Sequence, residues 1–259
     1  MKCLICGRTG WVTKFEYTEP DKYEQHQKIK DVRRSWLQCT RCGHYQQIRN
    51  YTLKRLERIY QGGYRSERFR GESISKAFKR LRNLPFGQSE NRQRFEWYSR
   101  VCSVKNILDV GSGIGVWPML LKGYGADICC VEENKYSIDF ISNILKIPCF
   151  ANIPKHRMFE TVTLLHVLEH IEKPTEFLAK LIPVIEASGE LFIEVPDDSE
   201  FGYLEKDHDE FNSCHVHFYS MASLYKVLDR SGFSVTDMHR EYYPKRRLTR
   251  LMARAIVKA

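Results

Sequence analysis

The chain has 259 residues, of which 42% are hydrophobic and 28% are charged. This is enough apolar material for one medium-sized α/β domain and a smaller module. No run of about 18 apolar residues is present to span a bilayer, and the N-terminus lacks the basic and apolar regions of a signal sequence. We therefore expect a cytoplasmic protein whose nine cysteines stay reduced or bind metal.

The net charge of +9 is unevenly distributed along the chain. Residues 49–105 carry a net charge of +10 and residues 245–259 carry +6, whereas residues 106–244 carry −11. Basic segments that flank an acidic one favour an anionic partner, such as a nucleotide, a polyanion or a membrane surface. The alternative interpretation is a solvated basic helix face.

Two matching cysteine motifs stand in residues 1–48, each of the form Cys-x-x-Cys-Gly. Four thiolates satisfy tetrahedral Zn²⁺, and a glycine after each pair allows the backbone to turn around the metal. The predicted zinc ligands are Cys3, Cys6, Cys39 and Cys42. Because they leave no open coordination position, we predict a structural zinc ribbon whose folding depends on the metal.

Residues 49–104 are predicted to form a helical segment on the substrate side. Apolar residues recur at helical spacing over residues 53–60 and again over residues 74–81, and a third helix is predicted over residues 89–101.

From Asn106, apolar runs of strand length alternate with helical segments. The predicted strands are Ile107–Val110, Ile128–Glu132, Cys149–Ile153, Thr161–Leu165, Leu191–Val195 and Phe233–Met238. The predicted helices are Trp117–Lys122, Tyr136–Leu145, Thr175–Ile185 and Met221–Arg230. This alternation predicts a Rossmann-like α/β domain over residues 105–244, a parallel sheet with helices on both faces.

The tail, residues 245–259, places Leu248, Leu251, Met252 and Ala255 on one helical face with basic residues opposite. We predict an amphipathic helix here, which would allow peripheral contact with an anionic membrane. A final strand through residues 255–257 is the competing prediction.

A glycine-rich turn, Gly111-Ser-Gly113-Ile-Gly115, follows the first predicted strand and the acidic Asp109. It lacks the Gly-x-Gly-x-x-Gly spacing that brings a pyrophosphate to a helix N-terminus, and therefore suits a cofactor without phosphates. After the second strand, Glu132 and Glu133 supply carboxylates about 20 residues downstream, where ribose hydroxyls can donate to them.

Five segments together resemble the class I S-adenosylmethionine-dependent methyltransferases, in particular the group of ubiquinone-pathway O-methyltransferases and sugar-modifying enzymes. They are Ile107-Leu-Asp-Val-Gly-Ser-Gly113, Cys130-Val-Glu-Glu133, residues 159–170, residues 188–196 and residues 215–220. The resemblance implies a seven-stranded Rossmann-like sheet. It also implies S-adenosylmethionine bound by Asp109, Gly111, Ser112, Gly113, Gly115, Glu132 and Glu133, with Asn152 near adenine and Leu165 and His166 at the methyl end.

Methyl transfer needs alignment, and a base where the acceptor must lose a proton. The candidate catalytic residues are His215, His217 and His166. His215 matches a recurring position of the family, and an extended backbone would point His217 the same way. The alternative role for His215 is to cap the helix that begins near Ser220. The spacing of His166 and His170 does not favour a metal site.

A zinc ribbon ahead of such a domain resembles the nucleotide-sugar C-methyltransferases. This implies an anionic small-molecule or glycoconjugate acceptor, such as a sugar or nucleotide sugar methylated on oxygen or carbon. A second hypothesis is an rRNA or tRNA methyltransferase that binds nucleic acid through its basic segment. A third is a non-catalytic binding scaffold.

Overall fold

The computed structural model of the protein describes residues 1–52, 54 and 71–258. Within these residues, eleven strands form two sheets. The strands are β1 (Trp11–Tyr17), β2 (Arg34–Cys39), β3 (Tyr45–Arg49), β4 (Asn106–Val110), β5 (Asp127–Val131), β6 (Cys149–Phe150), β7 (Phe159–Leu165), β8 (Ile185–Pro196), β9 (His217–Phe218), β10 (Phe233–Tyr243) and β11 (Leu248–Val257). The α-helices are α1 (Lys22–His26), α2 (Ile74–Arg82), α3 (Glu90–Val101), α4 (Val116–Gly123), α5 (Lys135–Asp139), α6 (Pro174–Ala179) and α7 (Met221–Arg230).

The larger sheet has the order β10-β11-β8-β7-β4-β5-β6. Strands β8, β7, β4, β5 and β6 run parallel, whereas β11 is antiparallel to both of its neighbours. This confirms the predicted α/β sheet of seven strands. Its central strands are apolar on both faces, which is typical of a parallel sheet covered on both sides.

Successive residues of β4 enter different cores, because side chains alternate across a strand. Leu108 packs into a core with α6 and α7, whereas Ile107 packs into a core with helices α2, α3 and α4. Helices therefore cover both faces, as predicted.

The helix predicted over Thr175–Ile185 is shorter than expected, whereas the one predicted over Tyr136–Leu145 keeps its length but changes its helix type. The segment Thr175–Ile185 contains α6 and then a 3₁₀ turn over Ile182–Val184, after which β8 begins at Ile185. Pro183 has no backbone N–H to continue an α-helix. The segment after α5 continues as a π-helix over Phe140–Ile144.

The amphipathic helix predicted for residues 245–259 is wrong, because β11 occupies this segment. Leu251, Met252 and Ala255 are at most 1% exposed, and β11 pairs with β8 on one side and β10 on the other. The apolar residues of the tail therefore belong to the core, and the predicted membrane contact through an apolar helix face has no basis. Cross-strand pairing along a whole strand outweighs the local helical spacing.

The smaller sheet joins the cysteine-rich N-terminus to the rest of the chain. Its order is β1-β2-β3-β9, and β9 pairs with β3 through Tyr45 opposite Phe218 and Gln46 opposite His217. The N-terminal module, defined here as residues 1–49, is thus completed by a strand from the segment that follows β8.

Helices α2 and α3 confirm two of the three predicted in residues 49–104, while the helix predicted over residues 53–60 lies outside the described residues. Ser73 and Ser89 cap α2 and α3 by accepting backbone N–H groups. In the part of the chain that is described, no helix is long and apolar enough to cross a membrane.

Candidate active site

A cavity of about 410 Å³ opens at the carboxyl ends of β4 and β7. One group of lining residues comes from the glycine-rich turn and its surroundings: Asp109, Gly111, Ser112, Gly113, Trp117 and Leu165. A second group is polar or charged: Glu90, Arg94, Glu169, His170, His215 and Arg250. Ligands of open α/β sheets bind at this edge, outside the carboxyl ends of the strands.

The glycine-rich turn is held tightly against the segment after β7. Gly111 has a φ of +78°, and a Cβ atom built there would lie 2.3 Å from Val167 Cγ2. Gly111 N–H donates to the carbonyl of Val131 at 2.8 Å, which ties the turn to β5. A side chain at this position is therefore excluded both by the backbone conformation and by space.

Asp109 lies at the base of the turn and is 2% exposed. Its Oδ1 accepts the Thr163 hydroxyl at 2.6 Å. Burial raises the pKa of Asp109 to about 6, although the hydrogen bonds from Thr163 and Ser112 oppose the shift.

Not all of the predicted cofactor residues line the cavity. Asp109, Gly111, Ser112, Gly113, Leu165 and His166 do. Glu132 lies beside it, since its Oε2 accepts the Gly113 N–H at 2.7 Å. Gly115 begins α4 and faces Leu145 and Ile141, while Glu133 and Asn152 are exposed beyond β5 and β6.

His166 directly follows β7 and has a φ of +55°, a conformation that is strained for a residue with a Cβ atom. Its Nε2 lies 2.9 Å from Glu194 Oε1 and its Nδ1 lies 3.3 Å from Glu169 Oε1. Burial and Arg250 oppose protonation, but these two carboxylates raise the pKa of His166 to about 9. The ring is thus an imidazolium held between carboxylates, which suits orientation and charge stabilisation rather than a general base.

The placement of His217 as a catalytic residue is wrong. Its side chain is fully buried, and its Nδ1 lies 3.0 Å from His44 Nε2 in the N-terminal module. His217 does not line the cavity. The backbone is extended only from residue 217, where β9 pairs with β3, so His215 and His217 do not share a face as expected.

His215 does line the cavity, together with two neighbours that the sequence analysis did not assign a role. Its ring lies against that of His170, with centroids 4.7 Å apart. Glu169, the residue before His170, is fully buried. Burial and His215 lower the pKa of His170 to about 4.

A buried ionic network forms the floor beneath this group, and sequence reasoning missed it. Arg94 of α3 forms a bidentate pair with Glu194 of β8, and this charge lowers the pKa of Glu194 against the effect of burial. Arg250 of β11 reaches Glu200 Oε1 at 3.1 Å and Glu210 Oε1 at 3.0 Å. Burial raises the pKa of Glu200 to about 9, and Glu210 adds to the shift.

The match to a family model decides the class of this molecule: residues 67–255 match the model described as a methyltransferase domain. The chain belongs to the methyltransferase-domain family. This confirms the predicted S-adenosylmethionine-dependent methyltransferase, and the matched range extends through residue 255 into β11, which the sequence analysis set apart as a tail.

One curated relative of the methyltransferase is a mitochondrial ubiquinone biosynthesis O-methyltransferase from Schizosaccharomyces pombe. It is 27% identical over 105 residues, which are 35% of this chain and 38% of the relative. The match spans well under half of that relative's length, so its acceptor is not carried over to this chain.

Solved structures resemble the methyltransferase in fold. The magnesium protoporphyrin IX methyltransferase from Synechocystis has a TM-score of 0.56 at 15% identity, covering 80% of this chain and all of that one. A 1,6-didemethyltoxoflavin N1-methyltransferase from Burkholderia thailandensis, with bound S-adenosylhomocysteine, has a TM-score of 0.53 at 14% identity, covering 72% of this chain and 86% of that one.

Away from the cavity, the N-terminal module of the methyltransferase brings its four predicted ligand cysteines together. The Cys3 and Cys42 sulfurs are 3.8 Å apart, those of Cys6 and Cys39 are 3.7 Å apart, and all four lie within 4.8 Å of one another. The two turns share one hydrogen-bond pattern, in which the N–H of Gly7 donates to Cys3 and that of Gly43 to Cys39.

Proposed function

We propose that this methyltransferase transfers the methyl group of S-adenosylmethionine to a hydroxyl of a sugar or a sugar-like acceptor, such as a nucleotide sugar or glycoconjugate. The observation that carries the proposal is the lining of the cavity, which combines the glycine-rich turn with a group of polar and charged side chains. The first suits the cofactor, and the second suits an acceptor with several hydroxyl groups.

Cofactor binding is assigned to Asp109, the glycine turn and Glu132. Glu132 already accepts the Gly113 N–H, so its carboxylate stands beside the turn where the ribose hydroxyls of the cofactor can donate to it. Leu165 and His166, at the end of β7, would line the methyl end. Glu133 and Asn152 are exposed and are left as candidates for the open adenine end.

The acceptor side offers hydrogen-bonding groups whose charges are largely matched. Arg94 and Arg250 are both paired with carboxylates, so they do not present free positive charge to the cavity. A neutral polyol is therefore favoured in the interior. Arg246, at the cavity wall, pairs with Glu90 but keeps a side chain that is 52% exposed, and it would contact an anionic group such as a phosphate outside the interior.

The reaction itself is an in-line displacement. The acceptor hydroxyl loses a proton to water, its oxygen forms a bond to the methyl carbon, and the carbon–sulfur bond breaks with its electron pair left on sulfur. The products are a methyl ether, S-adenosylhomocysteine and one proton. We assign His215 the transfer of this proton to water. It lines the cavity, unlike His217, and it does not have a carboxylate at each ring nitrogen, unlike His166.

The test is to incubate the purified enzyme with S-adenosylmethionine labelled in its methyl group and with fractionated lysate. We expect label in nucleotide sugars or glycoconjugates, and none with the Asp109→Ala variant. Label in rRNA or tRNA would overturn the sugar assignment and favour the basic segment as a nucleic-acid platform. Absence of S-adenosylhomocysteine binding would favour the scaffold hypothesis instead.

We further propose that the four-cysteine cluster holds a structural zinc ion. Four sulfurs at about 2.3 Å from a tetrahedral centre are about 3.8 Å apart, in agreement with the sulfur distances of 3.7 and 3.8 Å. Elemental analysis should find one zinc per chain, and finding none would contradict the proposal.

A further inference from the structure

A loop between β8 and β9 supplies part of the cavity wall. Its residues that line the cavity are Asp209, Glu210, Asn212, Cys214 and His215. After the 3₁₀ turn Asp209–Phe211, the backbone forms neither a helix nor a strand until β9 begins at His217. We call residues 209–216 the cavity loop. Because residues 211–216 are buried, their backbone polar groups need partners other than water.

Side chains of the N-terminal module supply such partners. Three successive carbonyls of the cavity loop each accept a hydrogen bond from β2 or β3. The pairs are Arg34 Nη1 with Phe211 at 2.8 Å, Gln47 Nε2 with Asn212 at 3.0 Å, and Arg49 Nη1 with Ser213 at 2.8 Å. Gln47 and Arg49 are two positions apart on β3 and therefore share one face of the strand. Side chains of the module thus replace the backbone partners that a neighbouring strand would give.

Asp21 of the module holds the same loop through a backbone N–H. It is the N-cap of α1, where its Oδ1 accepts the N–H groups of Tyr23 and Glu24, both at 2.9 Å. Its Oδ2 accepts the N–H of Ser213 at 2.6 Å, and its Oδ1 accepts the Ser213 hydroxyl at 3.0 Å. One carboxylate therefore fixes both the start of α1 and the middle of the cavity loop.

His215 follows these anchored residues directly. Its Nδ1 lies 2.6 Å from the carbonyl oxygen of Glu210. A carbonyl oxygen only accepts, so Nδ1 carries the hydrogen and the neutral ring keeps its lone pair on Nε2. The N–H of Cys214 donates to the side-chain oxygen of Asn212 at 2.7 Å. Because the module fixes Asn212 and Ser213, it also fixes the turn that holds the imidazole.

The cofactor turn has different supports. The N–H of Gly111 donates to Val131 and that of Gly113 to Glu132, so both acceptors lie at the end of β5. Of the described residues, Tyr23 is the one from residues 1–49 that lines the cavity. The module can therefore act on the acceptor side of the cavity without contacting the cofactor turn.

We propose that the N-terminal module is a positioning element for methyl transfer: Arg34, Gln47 and Arg49 hold the cavity loop so that His215 keeps one tautomer and one orientation. Hydrogen bonds from the two guanidinium groups are charge-assisted and therefore stronger than those between neutral groups. The three residues do not line the cavity and act through the loop. The proposal deepens the proposed function and rests on it for the role of His215 in proton transfer.

The experiment compares Gln47→Leu with Gln25→Leu in the full chain. The first variant leaves the buried carbonyl of Asn212 without its donor. The second is the matched control, because Gln25 is exposed and donates at 2.8 Å to the carbonyl of Pro20 within the module. We expect the amides of residues 213–216 to exchange with deuterium about tenfold faster in Gln47→Leu. Mass spectrometry should find the wild-type exchange rate in Gln25→Leu.

The imidazole itself is followed by nuclear magnetic resonance of protein with ¹⁵N-labelled histidine, in which His215→Gln identifies the signals of His215. The neutral ring of the wild type should carry its hydrogen on Nδ1. Gln47→Leu should shift the signals toward the tautomer mixture of a free imidazole, a change that a loss of stability alone would not produce. Affinity for S-adenosylhomocysteine, measured by isothermal titration calorimetry, should stay at its wild-type value.

Kinetics with the lysate fraction that accepts label should separate the two sides of the cavity. Gln47→Leu should lower the rate of methyl transfer at saturating S-adenosylmethionine and leave the KM for S-adenosylmethionine unchanged. Gln25→Leu should match the wild type in both.

Unchanged His215 signals in Gln47→Leu, or equal changes in Gln25→Leu, would overturn the positioning role. If Gln47→Leu makes residues 1–49 sensitive to protease, Ser213→Ala decides instead, because it removes the bond from the Ser213 hydroxyl to Asp21 and leaves the module intact. Unchanged His215 signals in that variant would also overturn the role. The exchange and resonance measurements contain no acceptor, so label that enters RNA would overturn the sugar assignment and leave the positioning role standing. The two proposals therefore fail separately.

Discussion

The N-terminal module and the seven-stranded sheet bury their side chains in different ways. The sheet has apolar cores on both faces, supplied mostly by its own strands and helices, and Cys3, Ile5 and Cys39 of the module join one of them. In the module, β1 has no buried residue, and the fully buried Trp36 packs against Phe211 and Phe218 from the segment after β8. The sheet thus supplies most of its own core, whereas the module depends on aromatic residues from elsewhere in the chain and, as we propose, on a metal ion.

The largest effect is expected for Cys39→Ser, which tests whether the module and the sheet depend on different interactions. Loss of one thiolate should release the zinc, whose apparent binding free energy in small modules is on the order of 10 kcal/mol. We expect protease cleavage within residues 1–49 while the sheet keeps its far-ultraviolet circular dichroism. Limited proteolysis with mass spectrometry measures this effect.

The matched control is Cys129→Ser, a buried cysteine on β5 outside the cluster. It should retain zinc and leave the module resistant to protease. If Cys39→Ser unfolds the sheet as well, the two regions form one cooperative unit and the comparison fails.

Arg250→Met addresses the ionic network of the sheet and should have the next largest effect. Arg250 is 2% exposed and faces three carboxylates, and removing one partner of a buried ionic group costs about 3–5 kcal/mol. Arg246→Met, whose side chain is 52% exposed, should cost less than about 1 kcal/mol. Urea denaturation followed by fluorescence compares the unfolding free energies of the two variants. Equal losses of stability would contradict the argument that the buried network stabilises the sheet.

The sequence could predict what depends on local spacing. The cysteine motifs and the glycine turn each depend on residues a few positions apart. The same is true of α7, which spans Met221–Arg230 as expected. The strand β4 differs from its prediction by one residue, because a central parallel strand is apolar throughout.

What depends on distant contacts could not be predicted. Arg250 stands among basic tail residues in the sequence, and only the pairing of β11 with β8 carries it into the interior. His217 lies two residues from His215, yet the pairing of β9 with β3 turns it toward His44. The contact of His170 with His215 was likewise hidden, since the two residues are 45 positions apart.

Gly111→Ala tests the close packing of the cofactor turn. The added Cβ atom would overlap Val167 Cγ2 at 2.3 Å and stand at a φ of +78°, so we expect a loss of about 2–4 kcal/mol. Affinity for S-adenosylhomocysteine, measured by isothermal titration calorimetry, should fall as well. The double variant Gly111→Ala, Val167→Ala should recover part of the stability, and no recovery would show that backbone strain alone is responsible.

The smallest expected effect concerns pH and separates the two regions by the sign of their response. Acidification protonates the cysteine ligands and weakens the module. Asp109 should respond in the opposite direction, because burial raises its folded-state pKa to about 6 from the usual 3.8. Between these values the folded protein binds more protons than the unfolded chain, so the contribution of Asp109 is fully present below pH 3.8 and is lost as the pH rises through 6.

Asp109→Asn removes this contribution, and the difference in unfolding free energy between variant and wild type should change by at most about 3 kcal/mol from pH 4 to pH 7. Urea denaturation at several pH values measures the difference, in which zinc loss cancels because both proteins share the module. Parallel pH profiles would mean that Asp109 is not held in a desolvated site, and the contrast between the two regions would then rest on the metal alone.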